Sequence, residues 1–82
     1  MQMEVYVGNL ETAVSDTEVR RAFEVFGIVA KVVGRTDPVT GRQRPYCFVI
    51  MQPICALKAI SEMNGTILGS RVITVAAAKG RR

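Results

Sequence analysis

The octamer RPYCFVIM, which ends at Met51, is predicted to be a β-strand that carries apolar side chains on both of its faces. Because strand side chains alternate, Tyr46 and Phe48 share one face while Cys47, Val49 and Met51 share the other. A chain of 82 residues has room for one compact domain with one core. We expect the cysteine-bearing face to point into that core, which leaves two aromatic rings on the opposite face to be explained.

Two helices are predicted, at about residues 16–26 and 53–63. Ser15 and Glu18 form a capping box at the start of the first helix, and a glycine follows its end. Pro53 suits the first turn of the second helix because the missing N–H donor is harmless there. The apolar residues recur at helical spacing, with Val19, Ala22, Phe23 and Phe26 in the first helix and Ala56, Ala59, Ile60 and Met63 in the second.

Four strands are predicted around these helices, at residues 4–8, 28–36, 44–51 and 71–76. In the second strand, Val29 and Val32 are expected to point into the core, and this change of parity predicts a bulge. Lys31, Val33 and Arg35 are expected to face outward from it. The loop that joins the second strand to the third contains Pro and Gly, which predicts a hairpin.

The order β-α-β-β-α-β is that of the split βαβ arrangement, an α+β sandwich. Right-handed crossovers place both helices on one face of a four-stranded antiparallel sheet and leave the other face uncovered. By alternation, Tyr6 of the first strand falls on the uncovered face together with Tyr46 and Phe48. The first and third strands are neighbours in this topology, so that the three rings are predicted to form one cluster at the centre of the sheet.

The formal net charge is +4, and the excess of basic residues lies outside the two predicted helices. This distribution fits a polyanionic ligand, and it also fits a solvated surface. Cys47 and Cys55 are too few and wrongly spaced for a zinc site, and we expect buried thiols in a reducing cytosol. The first residues show no secretory signal pattern and no apolar run is long enough to cross a membrane, so we expect a cytoplasmic protein.

The hexamer VYVGNL at residues 5–10 and the octamer from Arg44 to Met51 resemble the two signature segments of the RNA recognition motif family. The hexamer fits the family pattern throughout, and the octamer fits at its first, third, fifth and sixth places. Gly41-Arg42 and Met63-Asn64-Gly65 also resemble the family. The resemblance implies a ferredoxin-like fold, with one RNA-binding domain at residues 1–78 and a short basic tail at residues 79–82.

The same resemblance implies a site on the open face of the sheet. Tyr6, Tyr46 and Phe48 are the rings on which bases stack, and Arg44 pairs with a phosphate. Further cations expected around them are Arg42, Arg35, Lys31 and, in the tail, Lys79. The implied partner is single-stranded RNA, with single-stranded DNA as a second ligand. No cofactor, metal, small-molecule substrate or membrane is implied, and the chain is expected to be a monomer, a weak dimer being the alternative.

Departures from the octamer leave one alternative open. Pro45 replaces a glycine at the second place, fixes φ and removes a donor, which leaves the aim of the neighbouring Arg44 undecided. Cys47 and Met51 replace Gly or Ala and an aromatic residue, and both fall on the core face. Because Val33 and Ile50 add to the apolar area of the open face, a protein-docking module is the alternative function.

Enzymes of the acylphosphatase type share this ferredoxin-like fold, and catalysis is therefore a second class of function to consider. The sequence has no histidine, no Gly-rich P-loop pattern and no paired carboxylates beside an apolar pocket. The segment after the first strand, residues 9–13, contains no arginine that could hold a phosphate. We therefore expect no catalytic activity.

Overall fold

The element order follows the split βαβ pattern, with one additional hairpin near the end of the chain. The computed structural model describes residues 1–78. Its elements are β1 (Met3–Gly8), α1 (Asp16–Glu24), β2 (Val29–Val33), β3 (Tyr46–Met51), α2 (Pro53–Met63), β4 (Ile67–Leu68), β5 (Arg71–Val72) and β6 (Thr74–Ala77). Over these residues, no helix is long and apolar enough to cross a membrane.

The main sheet has four antiparallel strands in the order β2-β3-β1-β6, so that β1 and β3 are its central strands. Cys47, Val49 and Met51 are fully buried, as predicted. They join one apolar core with residues from β1, β6 and both helices, among them Val5, Val7, Val19, Phe23, Ala56, Ala59 and Val75. Both helices thus lie on the core face of the sheet, and the predicted ferredoxin-like α+β fold is confirmed.

The capping box that predicted α1 is present. The Glu18 amide donates to the Ser15 hydroxyl at 3.1 Å, and the Ser15 amide donates to the Glu18 carboxylate at 3.1 Å. The helix ends at Glu24, two residues before the predicted end. At that point the Phe26 amide already donates to the carbonyl of Phe23, three residues back, which tightens the last turn.

Strand β2 is shorter than the predicted range of residues 28–36. The expected bulge is confirmed, because the register with β3 shifts between Val29 and Lys31. Gly34 has a φ of 81°, a left-handed conformation that ends the extended strand. The alternation of faces therefore does not continue to Arg35, whose predicted outward direction is wrong: only 1% of this residue is exposed.

The last predicted strand, residues 71–76, is divided in two. Arg71–Val72 pairs with Ile67–Leu68 in a separate two-stranded hairpin, and only Thr74–Ala77 pairs with β1. The division falls at Ile73, whose backbone bonds to the segment that follows α2 rather than to β1. The Ile73 amide donates to the Thr66 carbonyl at 2.9 Å, and its own carbonyl accepts from the Gly65 amide at 3.0 Å.

Candidate nucleic-acid interface

Three aromatic rings form one cluster on the face of the sheet opposite the helices. Tyr6 and Phe48 are direct partners across β1 and β3, and their ring centroids lie 6.0 Å apart. Tyr46 lies 6.1 Å from the Tyr6 ring and 6.0 Å from the Phe48 ring. All three residues are partly exposed, so that part of the cluster is open to solvent. The predicted trio is thus brought together, on the predicted face.

Two glycines make room for these rings, a role that the strand and loop patterns of the sequence did not predict. A Cβ atom built on Gly8 would lie 2.6 Å from two ring carbons of Tyr6, so that any larger residue would displace that ring. A Cβ atom on Gly34 would lie 2.9 Å from the Phe48 ring. Gly8 stands two residues after Tyr6 in β1 and hence on the same face, which is the signal that could have revealed its role.

Arg44 stands at the edge of the ring cluster. Its guanidinium carbon lies 5.8 Å from the centroid of the Tyr46 ring, in the range of a cation–π contact, and Nη1 donates to the Gly34 carbonyl at 3.3 Å. Pro45 lies just before β3, and its carbonyl accepts from the Leu10 amide at 2.9 Å. The proline is thus accommodated at the entrance of the strand, where the absent N–H interrupts no pair within β3.

Arg35 lies in the interior and does not reach this surface. Its guanidinium donates to the carbonyls of Glu11, at 2.8 Å, and of Val14. Nη1 also lies 3.7 Å from a carboxylate oxygen of Asp16, at the start of α1. These contacts tie the loop between β1 and α1 to the end of β2. The prediction of Arg35 as an RNA-facing cation is therefore corrected, because its donors are directed to main-chain carbonyls inside the protein.

The remaining predicted cations are spread over separate places. Lys31 is exposed on β2, opposite Ile50 of β3. Arg42 is exposed in the hairpin loop between β2 and β3, where its carbonyl accepts from the Asp37 amide at 2.8 Å. Lys79 lies outside the described residues. Among the predicted cations within residues 1–78, Arg44 alone makes a cation–π contact with the ring cluster. The RNA-binding role of each site residue stays a prediction.

A recess of about 470 Å³ opens on the same face of the sheet, next to the rings. We call it the Glu4 recess; its lining residues are Gln2, Glu4, Ala30, Lys31, Val33 and Ile50. Glu4 is the register partner of Ile50, across the two central strands. The open face therefore has an aromatic part and, beyond Phe48, a second part with an aliphatic floor and charged walls.

Comparison with known proteins identifies the family to which this surface belongs. A family model of the RNA recognition motif matches residues 5–74, which is most of the chain. The chain belongs to the RNA recognition motif family. The resemblance that the two signature segments predicted is thereby confirmed, and most of each segment lies in a central strand of the sheet.

Two relatives show how far the likeness extends. Glycine-rich RNA-binding protein 10 of Brassica napus is 42% identical over 77 residues, which cover 93% of this chain and 46% of that protein. The poly(U)-binding-splicing factor rnp-6 of Caenorhabditis elegans is 36% identical over 72 residues, which cover 87% of this chain and 10% of that protein. The chain thus spans less than half the length of these curated relatives.

Solved structures of RNA recognition motif proteins superpose over nearly the whole chain. The crystal structure of RNA-binding protein PG1 has a TM-score of 0.87 at 32% sequence identity and covers 98% of both chains. The structure of the Rna15 RRM with bound RNA (GU) has a TM-score of 0.80 at 25% identity and covers 93% of this chain and 82% of that one.

Asn9, the fifth residue of the RNA recognition motif hexamer, connects the end of β1 to a distant part of the chain. Its backbone is left-handed, with a φ of 62°, and its side-chain amide donates to the distant Val72 carbonyl at 2.7 Å. Asn9 thus fastens the β4–β5 hairpin to the end of β1.

Proposed function

We propose that this chain binds single-stranded RNA across the open face of its sheet. The observation that carries the proposal is the cluster of Tyr6, Tyr46 and Phe48, three mutually contacting and partly exposed rings on the face opposite the helices. An exposed ring can cover the flat face of any nucleobase, and each stacked base contributes about 1–3 kcal/mol by alanine substitution. The RNA recognition motif relatives named as RNA-binding proteins support the same function.

Arg44 is proposed to add a phosphate contact beside the stacked bases. A guanidinium group has five N–H donors, and the bond from Arg44 to the Gly34 carbonyl uses one of them. The contact with the Tyr46 ring places the guanidinium charge at the edge of the ring cluster. Lys31 and Arg42, both exposed, are proposed to attract the phosphate backbone at longer range.

The test replaces one ring and compares it with an apolar residue of the helical side. Phe48→Ala should weaken binding of mixed-sequence RNA octamers by about 1–3 kcal/mol, measured by fluorescence anisotropy. Leu57→Ala, an exposed position on α2, is the matched control and should bind like the wild type. Equal affinity of the two variants, or a large loss of folding stability in Phe48→Ala, would contradict the proposal.

A protein-docking role is distinguished by mapping the surface directly. Titration of isotope-labelled protein with the same RNA should perturb the amide resonances of β1 and β3. Perturbations confined to α1 and α2 would place the RNA on the helical side and leave the open face to the alternative, a docked protein. An absence of any perturbation would contradict RNA binding.

The chain is proposed to act as a monomeric, cytoplasmic binding module without catalytic activity. The absence of histidine from the sequence supports the non-catalytic role. Single-stranded DNA is proposed as a weaker second ligand, because stacking does not distinguish the two nucleic acids while contacts to the 2′-hydroxyl do. Sedimentation velocity with and without RNA tests the monomer, and parallel titrations with DNA octamers test the preference.

A further inference from the structure

The Glu4 recess continues the ring cluster along both central strands. Glu4 stands two residues before Tyr6 in β1, and Ile50 stands two residues after Phe48 in β3. Two residues of a strand span about 7 Å, which is therefore the distance along the strands from the rings to the recess. This step is close to the 6.0 Å between the Tyr6 and Phe48 ring centroids. A nucleic-acid strand whose base stacks on the rings can therefore place its next base in the recess. This inference rests on the proposed function.

The lining of the recess suits a flat, apolar ring with a polar edge. Val33 and Ile50 offer apolar surface, while Glu4 and Lys31 bring one negative and one positive side chain. A phosphate inside the recess would be repelled by the Glu4 carboxylate, which offsets the attraction of Lys31. A nucleobase meets all of these groups favourably when its face lies on the aliphatic floor and its N–H donors point to Glu4.

The carboxylate distinguishes among the four bases by their Watson–Crick edges. Guanine presents two adjacent donors, N1–H and the N2 amino group, which match the two oxygens of a carboxylate. Adenine, cytosine and uracil each place an acceptor directly beside their donor, and this acceptor would face one of the oxygens. A carboxylate has about four lone-pair sites. The Glu4 carboxylate can therefore accept two hydrogen bonds from a base even if it also accepts one from another group. We propose that the Glu4 recess selects guanine in a bound single-stranded RNA.

The experiment compares octamers in which one base alternates with uridine. Octauridine serves as the reference. In the other octamers, the base that alternates with uridine is guanine, hypoxanthine, adenine or cytosine. An alternating sequence lets guanine reach the recess after a shift of one nucleotide, whatever the binding register. The wild type should bind the guanine octamer about 10-fold or more tightly than the adenine octamer, as one bidentate pair allows. The hypoxanthine octamer, which lacks the N2 amino group, should lie between them.

Two charge-neutralising variants identify the residue responsible. Glu4→Gln should lose most of the guanine preference while its affinity for octauridine stays equal or rises. Glu62→Gln, an exposed position on α2, carries the same charge change and should keep the preference. Thermal unfolding of both variants checks that the sheet is intact.

The results separate this inference from the proposed function. If octauridine binds and guanine gives no advantage over adenine in the wild type, the recess does not select guanine although RNA binding stands. A preference that survives in Glu4→Gln would likewise overturn the role of Glu4. If none of the octamers binds, the proposed function fails and the inference fails with it.

Discussion

Arg35 and Arg44 hold each other through two hydrogen bonds at the entrance of β3. The Arg44 amide donates to the Arg35 carbonyl at 2.6 Å, and Nε of Arg35 donates to the Arg44 carbonyl at 3.1 Å. One of these arginines is buried and the other lies over the Tyr46 ring. The buried guanidinium thus positions the backbone of the arginine that stands at the ring cluster.

Replacing Arg35 should destabilise the whole domain. Arg35→Met would remove the guanidinium donors from the carbonyls of Glu11, Val14 and Arg44. The Glu11 carbonyl keeps the Val14 amide as a donor, so that the carbonyls of Val14 and Arg44 are left unsatisfied. Each buried unsatisfied group costs roughly 1–3 kcal/mol, so we expect the free energy of unfolding to fall by about 3–5 kcal/mol. Urea denaturation measures this change. Arg42→Met, at an exposed position of the same hairpin, should change it by less than about 0.5 kcal/mol. Equal stability of the two variants would refute the interior role of Arg35.

Gly8 should affect RNA binding through Tyr6 alone. Gly8→Ala places a methyl group where the Tyr6 ring now lies, which displaces the ring without backbone strain, since Gly8 has no positive φ. We expect RNA affinity to fall by about 1 kcal/mol or more, within the range of one lost stacking contact. A double-mutant cycle tests the cause: in a Tyr6→Ala background, Gly8→Ala should have no further effect. Additive losses would show that Gly8 acts by another route.

Salt dependence should report the number of phosphate contacts. If Lys31, Arg42 and Arg44 each neutralise one phosphate, the log–log slope of affinity against salt should be about −2. Arg44→Gln should reduce its magnitude by about 0.7, measured by anisotropy titrations between about 50 and 200 mM salt. Arg21→Gln, an exposed position on α1, is the control and should leave the slope unchanged. A slope near zero would contradict phosphate binding.

Glu11 should make the stability depend on pH in the acidic range. The Ser70 hydroxyl and amide, which donate to the Glu11 carboxylate at 2.8 and 2.7 Å, lower its pKa, and the Arg71 charge also lowers it. The resulting stabilisation is complete above the unfolded-state pKa of about 4.3 and is lost as the pH falls through the lower folded-state pKa. The free energy of unfolding of the wild type should exceed that of Glu11→Gln at neutral pH. This difference, measured by urea denaturation, should shrink as the pH falls. A constant difference from neutral pH down to about pH 3 would contradict this linkage.

Cys47 should be unreactive in the folded protein. Burial raises the pKa of its thiol to about 12, and the Asp16 carboxylate adds to the effect. In a Cys55→Ser variant, iodoacetamide at about pH 8 should therefore label Cys47 of the native protein only as fast as unfolding exposes the thiol. Denaturant should restore ordinary labelling. Rapid modification of the native variant, followed by mass spectrometry, would show that Cys47 is accessible.

The sequence predicts correctly those parts of the site in which side chains alternate between the two faces of a strand. The prediction is wrong where a break in the strand interrupts this alternation. Tyr46 and Phe48 belong to an uninterrupted strand, so that their common face follows from period two alone. Arg35 follows Gly34, whose left-handed backbone reverses the direction of the next side chain. Its partners Glu11 and Val14 come from a distant loop, and no local pattern contains them. The same holds for Ile73, where bonds to the segment after α2 divide the predicted last strand.

The pairing of Tyr6 with Phe48 across the two central strands has a kinetic consequence. Each of these strands has a neighbour on both sides, whereas β2 and β6 form the edges of the sheet. We therefore expect the rings to be attached to the backbone that opens last in local unfolding. An RNA strand that arrives at the rings meets a protein surface that is already ordered. The protein chain therefore loses little conformational entropy on binding. We therefore expect diffusional encounter between RNA and protein, rather than a conformational change of the protein, to limit the association rate.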